Sequence, residues 1–460
     1  MTHHPPLWQL TATQLAAGFR DGAFTPVEAL EVCLARSAQV NPSLNALVTL
    51  DAEGARLAAE QSRVRWRARR PLGAIDGVPM TIKDNLQVRG LPTHWGSRAL
   101  AGDVSSRDEL PVSRLREAGA VIFGKTNVPE FTMQGHTDNP VFGPTGNPWD
   151  PALTPGGSSG GAAALVAAGG CPIALATDGG GSIRRPASHT NLVGLKPSRG
   201  RVPRAEGLPP IFLDYEVAGP IARCVADVAA VMQVIGASAM NDATPGPTRI
   251  LFVPRFAEHP VDPQIASLTA AAAGKLAALG HTLTTVGSLG IAEAVNQRWP
   301  LLSQVGLAWL VDHPHELSNR PLDAAAFGSA MQANVEAGRT STATALFDLL
   351  FEVERLRVEL DRLFDTCDFL LTPAAAALPW PARETHPRRI AGRDVGPRGH
   401  AVFTAFANAA GLPAIVLPCG FAQGLPVGIQ LVGREGADDV VLALASQFER
   451  AHPWQRFPEL

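Results

Sequence analysis

Apolar residues recur at helical spacing over the first seventy positions of the chain. Thr25-Pro26-Val27-Glu28 has the form of a capping box with proline at the first helical position, and helically spaced apolar residues follow it. A second helix is predicted over 52–67, where it ends in arginine-rich sequence. We therefore expect residues 1–70 to form a helical N-terminal segment that packs on the core.

Beyond residue 70, short apolar segments alternate with turns rich in glycine, proline and asparagine. The predicted strands lie at 78–82, 120–123, 173–176, 414–417 and 427–432. The predicted helices lie at 106–118, 162–168 and 438–450. Strands that alternate with helices favour an α/β fold, in which helices cover both faces of one large, twisted mixed sheet.

Residues 240–345, in the middle of the chain, differ from both ends in composition. They are rich in alanine and read as helical, whereas 373–399 is rich in proline and arginine and reads as loop. We expect 71–239 to form the core with the active site and 240–365 to form a helical lobe that shapes the substrate pocket. Residues 366–460 should then return to the same core sheet.

Composition excludes several classes of protein. The chain has 460 residues and a net charge of -3, so no basic excess predicts a nucleic-acid partner. No apolar run reaches the roughly 18 residues of a membrane helix, and the N-terminus lacks the pattern of a secretory signal. Five scattered cysteines form neither a disulfide framework nor a zinc site, which favours a reducing, cytoplasmic setting. We expect no metal and no other cofactor.

Lys83 is the first candidate for chemistry. It follows the apolar strand predicted at 78–82, where a charged surface side chain is unexpected. Burial disfavours the ammonium form and lowers the pKa of a lysine from its usual value of about 10.4. A neutral amine could then accept a proton. The alternative, an ion pair between Lys83 and neighbouring Asp84, stays open.

A second candidate is the glycine-rich segment Gly179-Gly180-Gly181-Ser182, which follows the strand predicted at 173–176. Consecutive glycines let several backbone N–H groups turn towards one point, as an oxyanion hole requires. Ser182 would be the nucleophile beside it. A flexible Gly/Ser linker is the plain alternative, but the flanking apolar segments argue against it.

Two other pattern matches are less convincing. Residues 119–126 fit the phosphate-binding pattern GxxxxGK[ST], but their variable positions are themselves a predicted strand. Residues 156–160 fit the GxSxG pattern of serine esterases, but no strand is predicted before them. A GxSxG serine esterase stays as an alternative function.

A series of short motifs occurs in the order found in one known family. These motifs lie at 77–79, 82–85, 124–131, 139–143, 146–150, 154–161, 177–184, 186–188, 194–197, 219–223, 411–414 and 424–428. In them the chain resembles the amidase signature family, over roughly 10–235 and 365–450. The number and order of the motifs make this resemblance highly specific.

The resemblance implies a Ser–cis-Ser–Lys triad. By position, Lys83 matches the family's base, Ser182 its nucleophile and Ser158 the bridging serine that a cis peptide precedes. It also implies oxyanion donors, supporting residues and acyl-pocket positions. The donors are the N–H groups of Gly179, Gly180, Gly181 and Ser182; the supporting residues are Ser159, Asp178 and Arg184; the pocket positions are Thr132 and Met133.

The function implied by the resemblance is hydrolysis of a linear carboxamide to a carboxylate and ammonia or an amine, through an acyl-enzyme. We expect a small or medium uncharged amide as substrate, with Trp299, Trp309 and Phe327 as candidates to complete its pocket. Gly179 stands where many members carry Thr or Ile, which predicts an intact oxyanion hole and a wider pocket. A homodimer is left open.

The main rival within the family is the amidase-type subunit of glutamyl-tRNA(Gln) amidotransferase, which is a glutaminase that works with a partner subunit. That protein usually carries Ser-Leu-Asp before the Gly-Pro that corresponds to Gly219-Pro220. Here the segment 212–218 reads Phe-Leu-Asp-Tyr-Glu-Val-Ala, which is more similar to stand-alone amidases.

Overall fold

The fold is built around one mixed sheet of eleven strands. The computed structural model describes residues 5–239, 246–317 and 322–458. The strands are β1 Leu47–Leu50, β2 Pro79–Lys83, β3 Val121–Thr126, β4 Ile173–Asp178, β5 Val193–Lys196, β6 Val217–Ala222, β7 Arg249–Phe252, β8 Thr282–Thr285, β9 Phe369–Pro373, β10 Arg389–Ile390, β11 Arg393–Asp394, β12 Ala414–Ala422 and β13 Leu425–Val432. The sheet runs β1-β3-β2-β4-β6-β5-β12-β13-β9-β7-β8, and β10 and β11 form a separate hairpin.

Helices pack on both faces of this sheet. They are α1 Ala12–Asp21, α2 Pro26–Leu44, α3 Ala52–Arg67, α4 Leu110–Glu117, α5 Gly160–Ala167, α6 Arg184–His189, α7 Val225–Ile235, α8 Pro263–Ala278, α9 Glu293–Asp312, α10 Ser329–Thr340, α11 Ala343–Phe364, α12 Ala405–Ala409 and α13 Asp438–Ala451. Side chains alternate along β4: Ile173 and Leu175 join one apolar cluster, Ala174 and Ala176 another. Because alternate residues of a strand point to opposite faces, the two clusters lie on opposite sides of the sheet. The predicted α/β fold is confirmed.

Local sequence signals set several element ends. The capping box is present, since the Thr25 side chain accepts from the Glu28 N–H and the Glu28 carboxylate accepts from the Thr25 N–H at the start of α2. The helix over 52–67 is also confirmed. The helix predicted from residue 106 begins only at Leu110. Proline lacks a backbone N–H and is tolerated only in the first helical turn, so Pro111 fixes the helix start.

The prediction of a wholly helical middle segment is wrong in one respect. Within 240–365 the chain adds β7 and β8, which pair in parallel and extend the sheet through β9. Four-residue strands of this kind carry too few alternating positions to stand out in an alanine-rich sequence. The N-terminal segment likewise contributes a strand, β1, which pairs with β3.

The parallel pair β2 and β4 positions the site. The two strands are adjacent, with Ile82 opposite Leu175, so their carboxyl ends lie at the same edge of the sheet. Lys83 is the last residue of β2, and Asp178 is the last residue of β4. The glycine-rich segment 179–182 therefore starts beside Lys83.

A third apolar cluster covers this edge. It joins α9, α10, α11 and α12, and it includes Trp299, Phe403 and Phe406. Among the described residues, no helix combines the length and apolar character needed to cross a membrane.

Candidate active site

Lys83 lies fully buried at the end of β2, in contact with hydroxyl groups rather than with a carboxylate. Its Nζ atom is 2.8 Å from Ser158 Oγ and 2.8 Å from Thr177 Oγ1, and 3.1 Å from the carbonyl oxygen of Thr177. The ion pair with Asp84 that the sequence left open is not formed. Asp84 instead lies 3.0 Å from Nζ of Lys125.

This environment favours the neutral form of the amine. Burial lowers the pKa of Lys83 to about 7, against the opposing effect of the negative charges of Glu216 and Asp178. A substantial fraction of Lys83 is then unprotonated near neutrality. In that form Nζ can accept a proton from Ser158.

Ser158 and Ser159 lie in the loop that leads into α5. The peptide bond between Gly157 and Ser158 is cis, as the resemblance predicts. Both serines are buried, and Ser159 Oγ donates to the carbonyl oxygen of Thr177 at 3.2 Å. The Ser159 N–H donates to the carbonyl oxygen of Ser182 at 3.2 Å. These contacts fasten the serine loop to β4 and to the residue proposed as nucleophile.

Ser182 lies between β4 and α6, in the wall of a cavity of ≈ 850 Å³. Only 7% of the residue is exposed. Within the described part of the chain its hydroxyl makes no hydrogen bond. Of the two contacts that the predicted triad requires, the one between Lys83 and Ser158 is present, and a direct contact between Ser158 and Ser182 is not. Catalytic hydrogen bonds often tighten only when substrate binds.

The four N–H groups that the resemblance implies as oxyanion donors do not share one environment. The Asp178 carboxylate accepts from the N–H of Gly181 at 2.6 Å and from that of Gly180 at 3.2 Å. Among the described residues, the N–H groups of Gly179 and Ser182 have no acceptor. The N–H groups of Gly179 and Ser182 are therefore free to bind a ligand, because those of Gly180 and Gly181 donate to Asp178.

Asp178 and Arg184 form a buried ion pair behind the glycine segment. Arg184 donates to Asp178 through Nε at 3.0 Å and Nη2 at 2.9 Å, and both side chains are fully buried. Although burial alone would raise it, the Arg184 charge and the glycine N–H groups hold the pKa of Asp178 well below its usual range. Arg184 also donates to Gln430 at 2.7 Å and Asn408 at 2.6 Å. The pair thus ties the nucleophile segment to the C-terminal part of the sheet.

The space around Gly179 and Gly181 shows why family members can carry Thr or Ile at the first position but not at the second. A Cβ atom at Gly179 would lie 3.4 Å from Phe212 and 3.5 Å from Glu216, which are ordinary contacts. At Gly181, where φ is +113°, a Cβ atom would lie 2.3 Å from Arg185 and Thr404. Position 179 can therefore accept a side chain, whereas position 181 requires glycine.

Thr132 and Met133 both line the cavity, and their role as acyl-pocket residues stays a prediction. Of the three aromatic candidates, Trp299 lines it too, and its Nε1 donates to the carbonyl oxygen of Gly179 at 2.9 Å. Trp309 is 43% exposed, and Phe327 is buried against the ring of Phe131. These two residues lie outside the cavity wall, so their predicted role is wrong.

Comparison with known proteins places this geometry in a family. The family model described as "Amidase" matches residues 28–442. The chain belongs to the amidase family. The resemblance predicted from the motifs is therefore confirmed.

Solved structures similar to this amidase include proteins named as amidases and as a hydrolase. One is a bacterial aryl acylamidase of the amidase signature family, with a TM-score of 0.90 and 29% identity, covering 98% of each chain. Another is 6-aminohexanoate cyclic dimer hydrolase, with a TM-score of 0.89 and 29% identity over 99% of each chain. The peptide amidase of Stenotrophomonas maltophilia matches with a TM-score of 0.80 and 26% identity.

Similarity by sequence points to another branch of the same family. A relative in Synechococcus sp. (strain RCC307) is 35% identical over 94% of this chain and 95% of its own length. One in Roseiflexus sp. (strain RS-1) is 33% identical over 99% of both chains. Each is named as one of the subunits of glutamyl-tRNA(Gln) amidotransferase. The names of these relatives include a tRNA. That this amidase has no nucleic-acid partner therefore stays a prediction.

Sequence reasoning missed several buried residues that this amidase uses to hold the site. Arg185 donates to Thr404 Oγ1 at 3.0 Å, to the carbonyl oxygen of Gly157 at 3.1 Å and to that of Gly180. Asn408 donates to the Asp178 carbonyl oxygen at 2.7 Å. The one signal for Arg185 is its place directly after Arg184. Thr404 and Asn408 follow a segment read as loop, with no motif to mark them.

Proposed function

We propose that this amidase hydrolyses a carboxylic amide through an acyl-enzyme on Ser182. The single observation that carries the proposal is the buried contact between Lys83 Nζ and Ser158 Oγ, beside a serine in the cavity wall. A buried amine with a pKa near 7 and a hydroxyl within reach is the arrangement needed to activate a serine. The amide-hydrolysing structural neighbours support the same reaction class.

The proposed reaction starts with two proton transfers. Neutral Lys83 takes the proton of Ser158, Ser158 takes that of Ser182, and Ser182 Oγ attacks the carbonyl carbon of the amide. The tetrahedral intermediate collapses as the C–N bond breaks, and the proton returns through Ser158 to the leaving nitrogen. Water then attacks the acyl-enzyme by the same relay, which releases the carboxylate and restores Ser182.

The free N–H groups of Gly179 and Ser182 are the proposed oxyanion donors. Each such donor is worth about 10²–10³ in rate, because it stabilises charge that exists only in the transition state. Asp178 holds the glycine segment in shape through the other two N–H groups. Its contribution is therefore to position the donors.

Labelling with a fluorophosphonate probe, followed by peptide mass spectrometry, tests the nucleophile. The expected adduct lies on Ser182, is absent from Ser182→Ala and forms much more slowly in Lys83→Ala. An adduct on Ser158 would instead support the GxSxG esterase alternative. Release of ammonia or amine from a panel of amides then measures turnover.

The alternative, a component of an amidotransferase, rests on the names of the curated relatives. Segment 212–218, where the sequence departs from the pattern of that component, supplies Phe212 and Glu216 to the cavity wall. Because the departure lies in the substrate site, we favour a stand-alone amidase acting on a small molecule in the cytoplasm. Glutaminase activity that appears only with partner subunits and tRNA would reverse this choice.

A further inference from the structure

The charges in the cavity wall are not balanced. Three carboxylates line the cavity, and each has a cation or histidine partner. Glu216 lies 2.6 Å from Arg204, Glu293 lies 2.7 Å from His259, and Asp394 lies 2.8 Å from Arg389. None of these carboxylates is therefore left to neutralise another positive charge in the wall.

Arg398 is a positive charge in the cavity wall that none of these carboxylates neutralises. It lines the cavity just before the short helical turn 399–401. Its Nε and Nη2 atoms lie out of contact with solvent and have no hydrogen-bond partner. Across the described residues, its guanidinium meets no carboxylate. A buried cation without a partner is costly, and a guanidinium matches the planar fork of a carboxylate.

Arg185 adds positive charge on the same side of the cavity. Its guanidinium donates to Thr404 and to backbone carbonyl groups, which are all neutral acceptors. Burial and the positive charge of Arg398 both lower the pKa of Arg185, which indicates that the two guanidinium groups lie near each other. The Nη1 and Nη2 atoms of Arg185 already hold the loops of Gly180 and Gly157. No hydrogen bond of the Arg398 guanidinium occurs among the described residues, so Arg398 is the more available of the two to a ligand.

His400 completes this part of the wall. Both of its ring nitrogens are buried and have no partner. Burial and the neighbouring cations lower the pKa of His400 well below its usual value. The ring is therefore neutral, and His400 adds no positive charge to the wall near Arg398.

We propose that the substrate amide carries a carboxylate group, which Arg398 binds in the cavity. This inference rests on the proposed amide hydrolysis and revises the expectation of an uncharged substrate. A carboxylate is a monoanion, and one guanidinium compensates its charge. The planar carboxylate also matches a guanidinium through two parallel N–H···O hydrogen bonds.

Matched substrates test this proposal. On the acyl side, the mono-para-nitroanilide of succinic acid is compared with the same anilide in which a carboxamide replaces the carboxylate. On the leaving-group side, para-acetamidobenzoate is compared with para-acetamidobenzamide. We expect kcat/KM to favour the carboxylate by about 10–100-fold in one of the two pairs, which is the usual worth of a charge-assisted hydrogen bond.

Arg398→Gln should abolish this preference, because it should lower kcat/KM for the carboxylate substrate far more than for its neutral partner. Arg398→Lys should retain part of it. Arg388→Gln is the matched control, since Arg388 lies ten positions earlier in the same segment, with an 85% exposed side chain outside the cavity wall. A preference for the neutral substrate, or an equal loss on both substrates in Arg398→Gln, would overturn the proposal.

Binding to the Ser182→Ala protein separates this inference from the proposed reaction. The same four compounds are titrated by calorimetry, with and without Arg398→Gln. Carboxylate-selective binding that depends on Arg398 supports the inference even if Ser182 proves not to be the nucleophile. If the compounds neither turn over nor bind selectively, the inference is wrong, whatever the labelling of Ser182 shows.

Discussion

Two buried lysines lie at neighbouring strand ends and have different partners. Lys83 ends β2, and Lys125 lies one residue from the end of β3, which pairs in parallel with β2. Both side chains are fully buried. Lys125 Nζ lies 3.0 Å from Asp84 Oδ1, whereas Lys83 Nζ lies 2.8 Å from the hydroxyl oxygens of Ser158 and Thr177. One lysine thus has a carboxylate partner and the other has a chain of hydroxyls.

The comparison shows that the partner, rather than burial, decides what a buried lysine can do. Burial lowers the pKa of both lysines. At Lys125, the adjacent Asp84 charge and its hydrogen bond oppose this effect. At Lys83 only more distant carboxylates oppose it, and the pKa falls to about 7. A paired lysine supports structure, and a lysine among hydroxyls can exchange a proton with them.

A low pKa alone does not mark the base. Burial also lowers the pKa of Lys196 to about 7, but Lys196 Nζ donates to the carbonyl oxygen of Pro197 at 2.7 Å. No serine hydroxyl contacts this amine among the described residues. Lys83 differs because its hydroxyl partner, Ser158, leads towards the cavity.

Replacing Lys83 is the most severe test of the comparison. Lys83→Ala should lower kcat by about 10⁴-fold, the upper end of what a general base contributes. The variant should remain folded, because the loss of the amine leaves hydroxyls rather than a charge unpaired. Steady-state turnover of an amide and circular dichroism measure the two effects. Lys275→Ala, on the half-buried lysine of α8, is the control, and near-wild-type turnover in Lys83→Ala would exclude the lysine mechanism.

Lys125 should show the opposite behaviour. Lys125→Met leaves the Asp84 carboxylate buried without its partner, which should cost about 3–5 kcal/mol in the free energy of unfolding. Activity per folded molecule should stay within about threefold. Urea unfolding measures the first effect and active-site titration the second. Adding Asp84→Asn removes the orphaned charge and should recover part of the stability; no loss in Lys125→Met would show that the ion pair is not structural.

The resemblance made the contact between Lys83 and Ser158 predictable from the sequence. Lys83, Ser158 and Ser182 lie in short motifs that occur in the order found in the family. Helix starts were also predictable where a local signal exists, as at Thr25. A contact between residues three or four positions apart can be predicted from the short stretch of sequence that contains both.

Contacts across the fold were not predictable in this way. Arg184 meets Asn408 across 224 positions and Gln430 across 246. The capture of the Gly181 N–H by Asp178 depends on the turn that this network holds. The unpaired state of Arg398 is likewise a property of the assembled wall, since a sequence shows which charges exist but not which ones meet.

The pH dependence of the reaction gives the smallest and most direct test. The base must be neutral, so kcat/KM should fall about tenfold per pH unit as pH drops below about 7, and should level off above it. Thr177→Val removes a hydrogen-bond acceptor of the ammonium form. Since such a bond favours the charged form, its loss should move the midpoint to lower pH by about half a unit to one unit.

Two further variants test whether Lys83 is the group whose protonation causes this pH dependence of kcat/KM. Thr177→Ser keeps the hydroxyl and should keep the midpoint, which separates loss of the hydrogen bond from a change in packing. Lys196→Met removes the other lysine whose pKa falls to about 7, and it should leave the midpoint in place because that amine contacts no serine hydroxyl among the described residues. If Lys196→Met abolishes the pH dependence, or if Thr177→Val moves the midpoint upwards, then the fall in kcat/KM at low pH is not caused by protonation of Lys83. The distinction drawn between hydroxyl and carboxylate partners would then fail at the lysine for which it matters most.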